Sequence, residues 1–201
     1  MSEIVFFLEE PSAEALLGGL LPRILPQDFF YRCVVFEGKQ DLEKQLVRRI
    51  HGYRTPGAQF MVLRDQDAGD CRQIKATLRE KCRSAGRPDA IVRIACRELE
   101  SWYLADLAAV ERGLQADGLQ RLQNKARYRL PDGIPSPSRV LARIAPDYQK
   151  ISGSRAIGPY LDLGNGRSRS FAHFVSAVQR VAGVIEDSRP SCGSQGIENR
   201  Q

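Results

Sequence analysis

Short unbroken apolar runs alternate with longer stretches in which apolar residues recur every three or four positions across the first hundred residues. Ile4-Val5-Phe6-Phe7-Leu8 stops at Glu9-Glu10-Pro11, and a run this short and apolar predicts a strand buried on both faces. Ser12 is placed to cap a helix with Ala15, Leu16, Leu17, Leu20 and Leu21 on one side, ending near Pro22. The alternation then repeats. A strand over 31–36 precedes an amphipathic helix over 40–50, with Leu42, Leu46, Val47 and Ile50 inward and Lys44, Arg48 and Arg49 outward. Phe60-Met61-Val62-Leu63 is the next strand, followed by a helix through Ile74, Leu78 and Cys82 that stops at Gly86-Arg87-Pro88. A strand over 90–95 leads into a helix bearing Trp102, Tyr103 and Leu104. Strand and helix thus alternate four times, which predicts an α/β fold with about four mostly parallel strands flanked by helices.

Past about residue 110 the texture changes, with Gly, Pro and Arg more frequent. A short helix is expected over 119–125, Pro131, Pro135 and Pro137 break any long element, and Ser138 is placed to cap a helix over 138–144. Residues 168–185 read as a final amphipathic helix through Phe171, Phe174, Val175, Val178, Val181 and Val184. From Asp187 the chain is polar and rich in Ser, Gly and Pro, which predicts a disordered tail. The expected organisation is a core over 1–110, a helical extension packed on it over 111–186, and the tail over 187–201.

Composition narrows the class of protein. With 42% apolar and 27% charged residues in 201, the chain is an ordinary globular protein. A net charge of +6 and a pI near 9.2 suit a polyanionic partner. The five cysteines (33, 71, 82, 96 and 192) form no CxxC pair and no zinc-finger spacing. Their odd number, without a secretory signal, predicts reduced thiols in a cytoplasmic protein. No apolar run approaches the roughly 20 residues that cross a bilayer.

In open parallel sheets, sites sit at the carboxyl ends of the strands. Three of the four expected strands end in acids here: Glu9, Asp65 with Asp67, and Glu98 with Glu100. Asp65 and Asp67, two apart on an extended backbone and followed by Gly69, share a face and can converge on one hard cation. Mg²⁺ keeps several of its waters, so two or three carboxylates suffice to hold it. The competing reading is an acidic turn that caps the next helix.

These residues carry a resemblance. Glu9 followed by Pro11 and Ser12, with Asp65-x-Asp67-x-Gly69 on a later strand, resembles the glutamate and DxD signature of Toprim domains. Those domains serve topoisomerases, primases and nucleases of the overcoming-lysogenization-defect type. Arg97-Glu98-Leu99-Glu100-Ser101-Trp102-Tyr103-Leu104-Ala105-Asp106 is similar to the E-x-W-x-L-A-D segment of the DUF4276 family, regarded as Toprim-like. The resemblance runs over about residues 3–180. It implies a Toprim-like fold, with Glu9 as general base or metal ligand, Asp65 and Asp67 holding Mg²⁺ or Mn²⁺, Glu100 as a further acid and Glu98 as its helper. It also implies an ATPase partner and a role in anti-phage defence. One position departs from the pattern: Glu10 stands where glycine is usual.

A topoisomerase would need a nucleophilic tyrosine from a separate domain, and a primase a nucleotide site and a template-binding module. A nuclease needs only an activated water, so metal-dependent phosphodiester cleavage is the economical expectation. The alternative is a non-catalytic module that binds nucleic acid or a partner; phosphatase or nucleotide hydrolysis at the same acids is a third. Arg64, Lys125, Arg127, Arg155, Arg167 and Arg169 are the residues expected to touch nucleic acid, joined by Arg129, Arg139, Arg143 and Lys150 in a basic second half. Gly164-Asn165-Gly166-Arg167-Ser168 suits either a phosphate cradle or a turn. Trp102 is expected in the core, and His51, His173, Cys71 and Cys96 carry no site.

Overall fold

The computed structural model describes residues 2–183. Its sheet has four parallel strands, β1 (Ser2–Leu8), β2 (Phe29–Val35), β3 (Gln59–Asp65) and β4 (Ile91–Ala95), in the order β2-β1-β3-β4. Between them run the helices α1 (Pro11–Leu20), α2 (Lys39–His51) and α3 (Cys71–Ser84). After β4 come α4 (Glu100–Leu104), α5 (Leu107–Leu114), α6 (Pro137–Ile144), α7 (Lys150–Ile157) and α8 (Arg169–Val181).

The two-residue period of a strand sends alternate side chains to opposite faces. Ile4, Phe6 and Leu8 of β1, with Met61 and Leu63 of β3, enter one core, which α1, α4, α5 and α8 complete. Val5 and Phe7, with Phe60 and Val62, enter the other beneath α2 and α3. This explains why the strands read as continuous apolar runs rather than alternating ones. Residues after 110 are part of the first core: Leu141, Ile157, Phe171 and Phe174 are buried in it.

The sequence pattern misplaced some helix starts and missed two helices. Glu10 occupies the cap position of α1 and Pro11 opens the helix; the Ser12 hydroxyl donates to Glu10 Oε1 at 3.1 Å. Ser136, not Ser138, precedes α6, and the Ser138 N–H is satisfied by Glu98 Oε2 at 2.7 Å. The segment expected as a helix over 119–125 is a 3₁₀ turn over Gln120–Asn124. Helices α5 and α7 lack a long apolar stripe, and they meet at glycine. A Cβ on Gly113 would lie 2.6 Å from the Ala156 carbonyl oxygen, so the backbones touch directly. Val184, expected in the last helix, and the tail from Asp187 lie outside the described residues. No helix among the described residues is long and apolar enough to cross a membrane.

Candidate active site

The register of the sheet builds the site. Leu8 of β1 pairs with Leu63 of β3, and Asp65 at the end of β3 pairs with Ala95 of β4. Glu9, one residue past β1, therefore lies beside Asp65, and its Oε2 accepts the Asp65 N–H at 3.1 Å. Glu100 opens α4 and is only 1% exposed. Its Oε1 accepts the Tyr148 hydroxyl at 3.0 Å, while its Oε2 is buried without a partner. Glu9, Asp65 and Glu100 share one electrostatic environment. Burial pushes the Asp65 carboxyl well above its ordinary value, and the charges of Glu100, Glu9 and Glu10 push it further. Burial also raises Glu100, against the pull of its own backbone N–H, of Lys150 and of Tyr148. Glu9 is raised by burial and by Asp67, against the Asp65 N–H.

The other two predicted acids are engaged elsewhere. Asp67 Oδ2 accepts Lys39 Nζ at 2.8 Å, so Asp67 acts on the cluster mainly through its charge beside Glu9. Glu98 satisfies the Ser138 N–H at the start of α6. Two left-handed residues, Asp67 (φ +55°) and Arg97 (φ +61°), lock the loops after β3 and β4 together. The Asp67 N–H donates to the Arg97 carbonyl at 2.7 Å, and the Arg97 N–H donates to Gln66 Oε1 at 3.2 Å. Such backbone costs about 1–3 kcal/mol per residue and persists only where surrounding structure enforces it.

Among the described residues, no three His, Cys, Asp or Glu side chains form a ready metal cage. A Mg²⁺-type ion that retains its waters needs only two or three direct carboxylates. The orphaned Glu100 Oε2 and the repulsion of Asp65 by Glu100 and Glu9 are what such an ion would relieve. Asp65, Glu100 and Glu9 are the acids that could supply ligands to one.

The predicted cations are not gathered at the site. Arg64 is 7% exposed and turned inward, its Nε 3.7 Å from Glu9 Oε2 and its Nη1 2.6 Å from Glu43 Oε1, which leaves little of it for a phosphate. Lys125, Arg127, Arg155, Arg167 and Arg169 are exposed, on the 3₁₀ segments, on α7 and around the start of α8. None of these five shares a hydrogen bond or ion pair with the acids among the described residues. Gly164–Ser168 is a structural turn. Asn165 Nδ2 donates to the Ala105 carbonyl at 2.8 Å and its Oδ1 accepts the Arg167 N–H at 2.9 Å.

Sequence reasoning missed Tyr148, Lys39 as the partner of Asp67, and the position of Lys150. Lys150 Nζ is 2.6 Å from Glu10 Oε1, so the residue that departs from the usual glycine anchors the start of α7 over the site. Tyr148 lies 48 residues from Glu100 in sequence, and no local motif marks it.

The segment from Glu100 to Asp106 fixes the geometry. The Trp102 ring lies 5.2 Å from both Phe171 and Phe174 in tilted contacts, and its Nε1 donates to Ser170 Oγ at 2.8 Å. Asp132 holds Ser170 in turn through the Ser170 N–H at 2.9 Å. The Leu104 carbonyl accepts Gln123 Nε2 at 3.1 Å. Asp106 caps α5 through the Ala109 N–H at 3.1 Å and accepts the Asp162 N–H at 2.8 Å. The first acid of the motif thus serves the site, while the rest holds α4 in place against α5 and α8. No curated protein and no solved structure matches the chain. The family described as "Domain of unknown function (DUF4276)" matches residues 8–179, which span all four strand ends and the E-x-W-x-L-A-D segment, and the chain belongs to that family.

Proposed function

We propose that this domain is a divalent-cation-dependent phosphodiester hydrolase, a nuclease whose centre is Glu9, Asp65 and Glu100 with Asp67 at its edge. The observation that carries the reading is the buried, unpartnered Glu100 Oε2 within a set of mutually repelling carboxyls at the carboxyl edge of a parallel sheet. Bound there, Mg²⁺ or Mn²⁺ would polarise the phosphodiester and activate a water. Glu9, raised above its ordinary value, is suited to take the proton of the attacking water. Tyr148 orients Glu100, and Lys39 and Lys150 supply positive charge on the two sides of the acids. The resemblance to Toprim domains agrees with this reading. Action with an ATPase partner in anti-phage defence, and a cytoplasmic location, rest on the resemblance and composition alone.

A second reading has its own observation. Arg64, Lys39 and Lys150 each pair with an acid of the region, so part of its charge is balanced without an added ion. A non-catalytic module that binds nucleic acid or a partner would be built this way.

Cleavage of labelled single-stranded and duplex DNA and RNA separates the two. The nuclease reading expects products with Mg²⁺ or Mn²⁺, none with chelator, and a loss of at least about 100-fold in Asp65→Ala. Unchanged cleavage by Asp65→Ala would remove these carboxylates from the chemistry, and no cleavage of any substrate by the wild type would favour the binding module.

A further inference from the structure

A second concentration of positive charge lies away from the residues predicted to bind nucleic acid. A furrow of about 600 Å³ runs along β4, the open edge of the sheet, between α3 and α8. Arg79, Arg93 and Arg180 line it, and Lys75 sits one helical turn from Arg79 on α3. The carboxylate on its wall among the described residues, Asp89, is engaged by Arg87 through bonds of 3.0 and 2.8 Å. Lys75 and Arg93 feel the crowding. Burial lowers both below their ordinary values, and neighbouring cations lower them further: Arg93 and Arg79 act on Lys75, Arg180 and Arg79 on Arg93.

We infer that this furrow is a binding site for the phosphate backbone of a nucleic acid, with Lys75, Arg79 and Arg93 as its contacts. Arg93 is set for the task. Its Nε donates to the His173 carbonyl at 3.0 Å and its Nη1 to the Val92 carbonyl at 3.2 Å. Two of its N–H groups thus fix the guanidinium against α8 and β4, and the remaining ones are presented with little further loss of freedom. The bond to Val92 also covers a carbonyl of the edge strand, which disfavours the addition of a peptide as a further strand there. No aromatic ring lines the furrow among the described residues, so contacts would go to phosphates and be largely independent of sequence. At about 3.3 Å per residue, Arg93 lies about 7 Å along β4 from Ala95, the partner of Asp65. The rest of the furrow, from Gln59 and Pro88 to Val92, lies toward the amino ends of β3 and β4, away from the carboxylates.

The inference rests on the proposed function for what happens to the bound strand, so binding is measured with chelator, where cleavage is absent. Fluorescence anisotropy of labelled single-stranded and duplex DNA is the readout, with circular dichroism to check folding. Lys75→Gln/Arg79→Gln, on the surface of α3, is expected to weaken binding roughly 10-fold at low salt and to reduce the salt slope by about 2. Adding Arg93→Gln is expected to weaken it further, while Lys125→Gln/Arg127→Gln stays within about 2-fold of the wild type. Unchanged affinity in folded furrow variants overturns the inference, as does preference for polyglutamate over DNA. An Asp65→Ala/Glu100→Ala variant separates the two claims. If it binds normally and the wild type never cleaves, the furrow stands and the nuclease reading falls. If the wild type cleaves and the furrow variants bind and cleave equally well, the nuclease reading stands and the furrow falls.

Discussion

Trp102→Ala is expected to lower the unfolding free energy by about 3–5 kcal/mol, the range for removing a large buried aromatic side chain. The indole is 1% exposed and lies against both Phe171 and Phe174. Its loss leaves a cavity between α4 and α8 that the ring pair cannot close by rotation alone. It also deprives Ser170 Oγ of the nearer of its two N–H donors, leaving the Cys96 N–H, at the point where Asp132, the start of α8 and the end of β4 meet. Urea unfolding followed by circular dichroism checks the figure. Trp102→Phe isolates the polar part: it keeps most of the ring contacts and loses the N–H bond, for an expected cost of about 1–2 kcal/mol. A Trp102→Ala protein within 1 kcal/mol of the wild type would show that α4 is not fixed by this contact.

Asp65→Asn is expected to stabilise the fold at alkaline pH, the opposite of what most substitutions do. Asp65 titrates in the folded protein well above the ordinary 3.8, burial being the main cause and Glu100 the next. At low pH the carboxyl is protonated in both states and carries no penalty. As pH rises past the unfolded value, the unfolded chain releases its proton while the folded one retains it, so wild-type stability falls. The fall continues until the folded group ionises too. Asparagine has no such group. The expected gain at pH 8 is about 1–2 kcal/mol, or about 3–6 °C in Tm for a chain of this length, and it vanishes near pH 3. Glu100→Gln is expected to follow the same course, since burial raises that group as well. Thermal melts across pH on the wild type and Asp65→Asn give the answer. A variant less stable than the wild type at pH 8 would mean that the carboxylate is held by favourable contacts rather than strained.

The strands and their acidic tips were legible in the sequence because a parallel sheet buried on both faces leaves unbroken apolar runs, with little else to mimic Ile4–Leu8 or Phe60–Leu63. The choice between Glu98 and Glu100 was not. They stand two residues apart, and only the packing of α6 turns Glu98 to the Ser138 N–H and leaves Glu100 buried beside Asp65. The starts of α1 and α6 were assigned to Ser12 and Ser138, although Pro11 and Pro137 at the first helical positions carried the better signal. Helix α7, which opens at Lys150 two residues after Tyr148, carries glycine and serine where an apolar stripe would be sought. The furrow was hidden for a different reason. Lys75 and Arg79 stand four residues apart on α3 with no local motif to mark them, and Arg93 joins them only because α3 and α8 both pack beside β4.

The central claim is that Glu9, Asp65 and Glu100 form a cation site, and titration calorimetry with Mg²⁺ and Mn²⁺ tests it most directly. The wild type is expected to bind a divalent ion at micromolar to millimolar concentration, with binding abolished in Asp65→Asn/Glu100→Gln, a variant that keeps the shape of both side chains. Equal binding by the variant, or no binding by the wild type at millimolar ion, would contradict the claim.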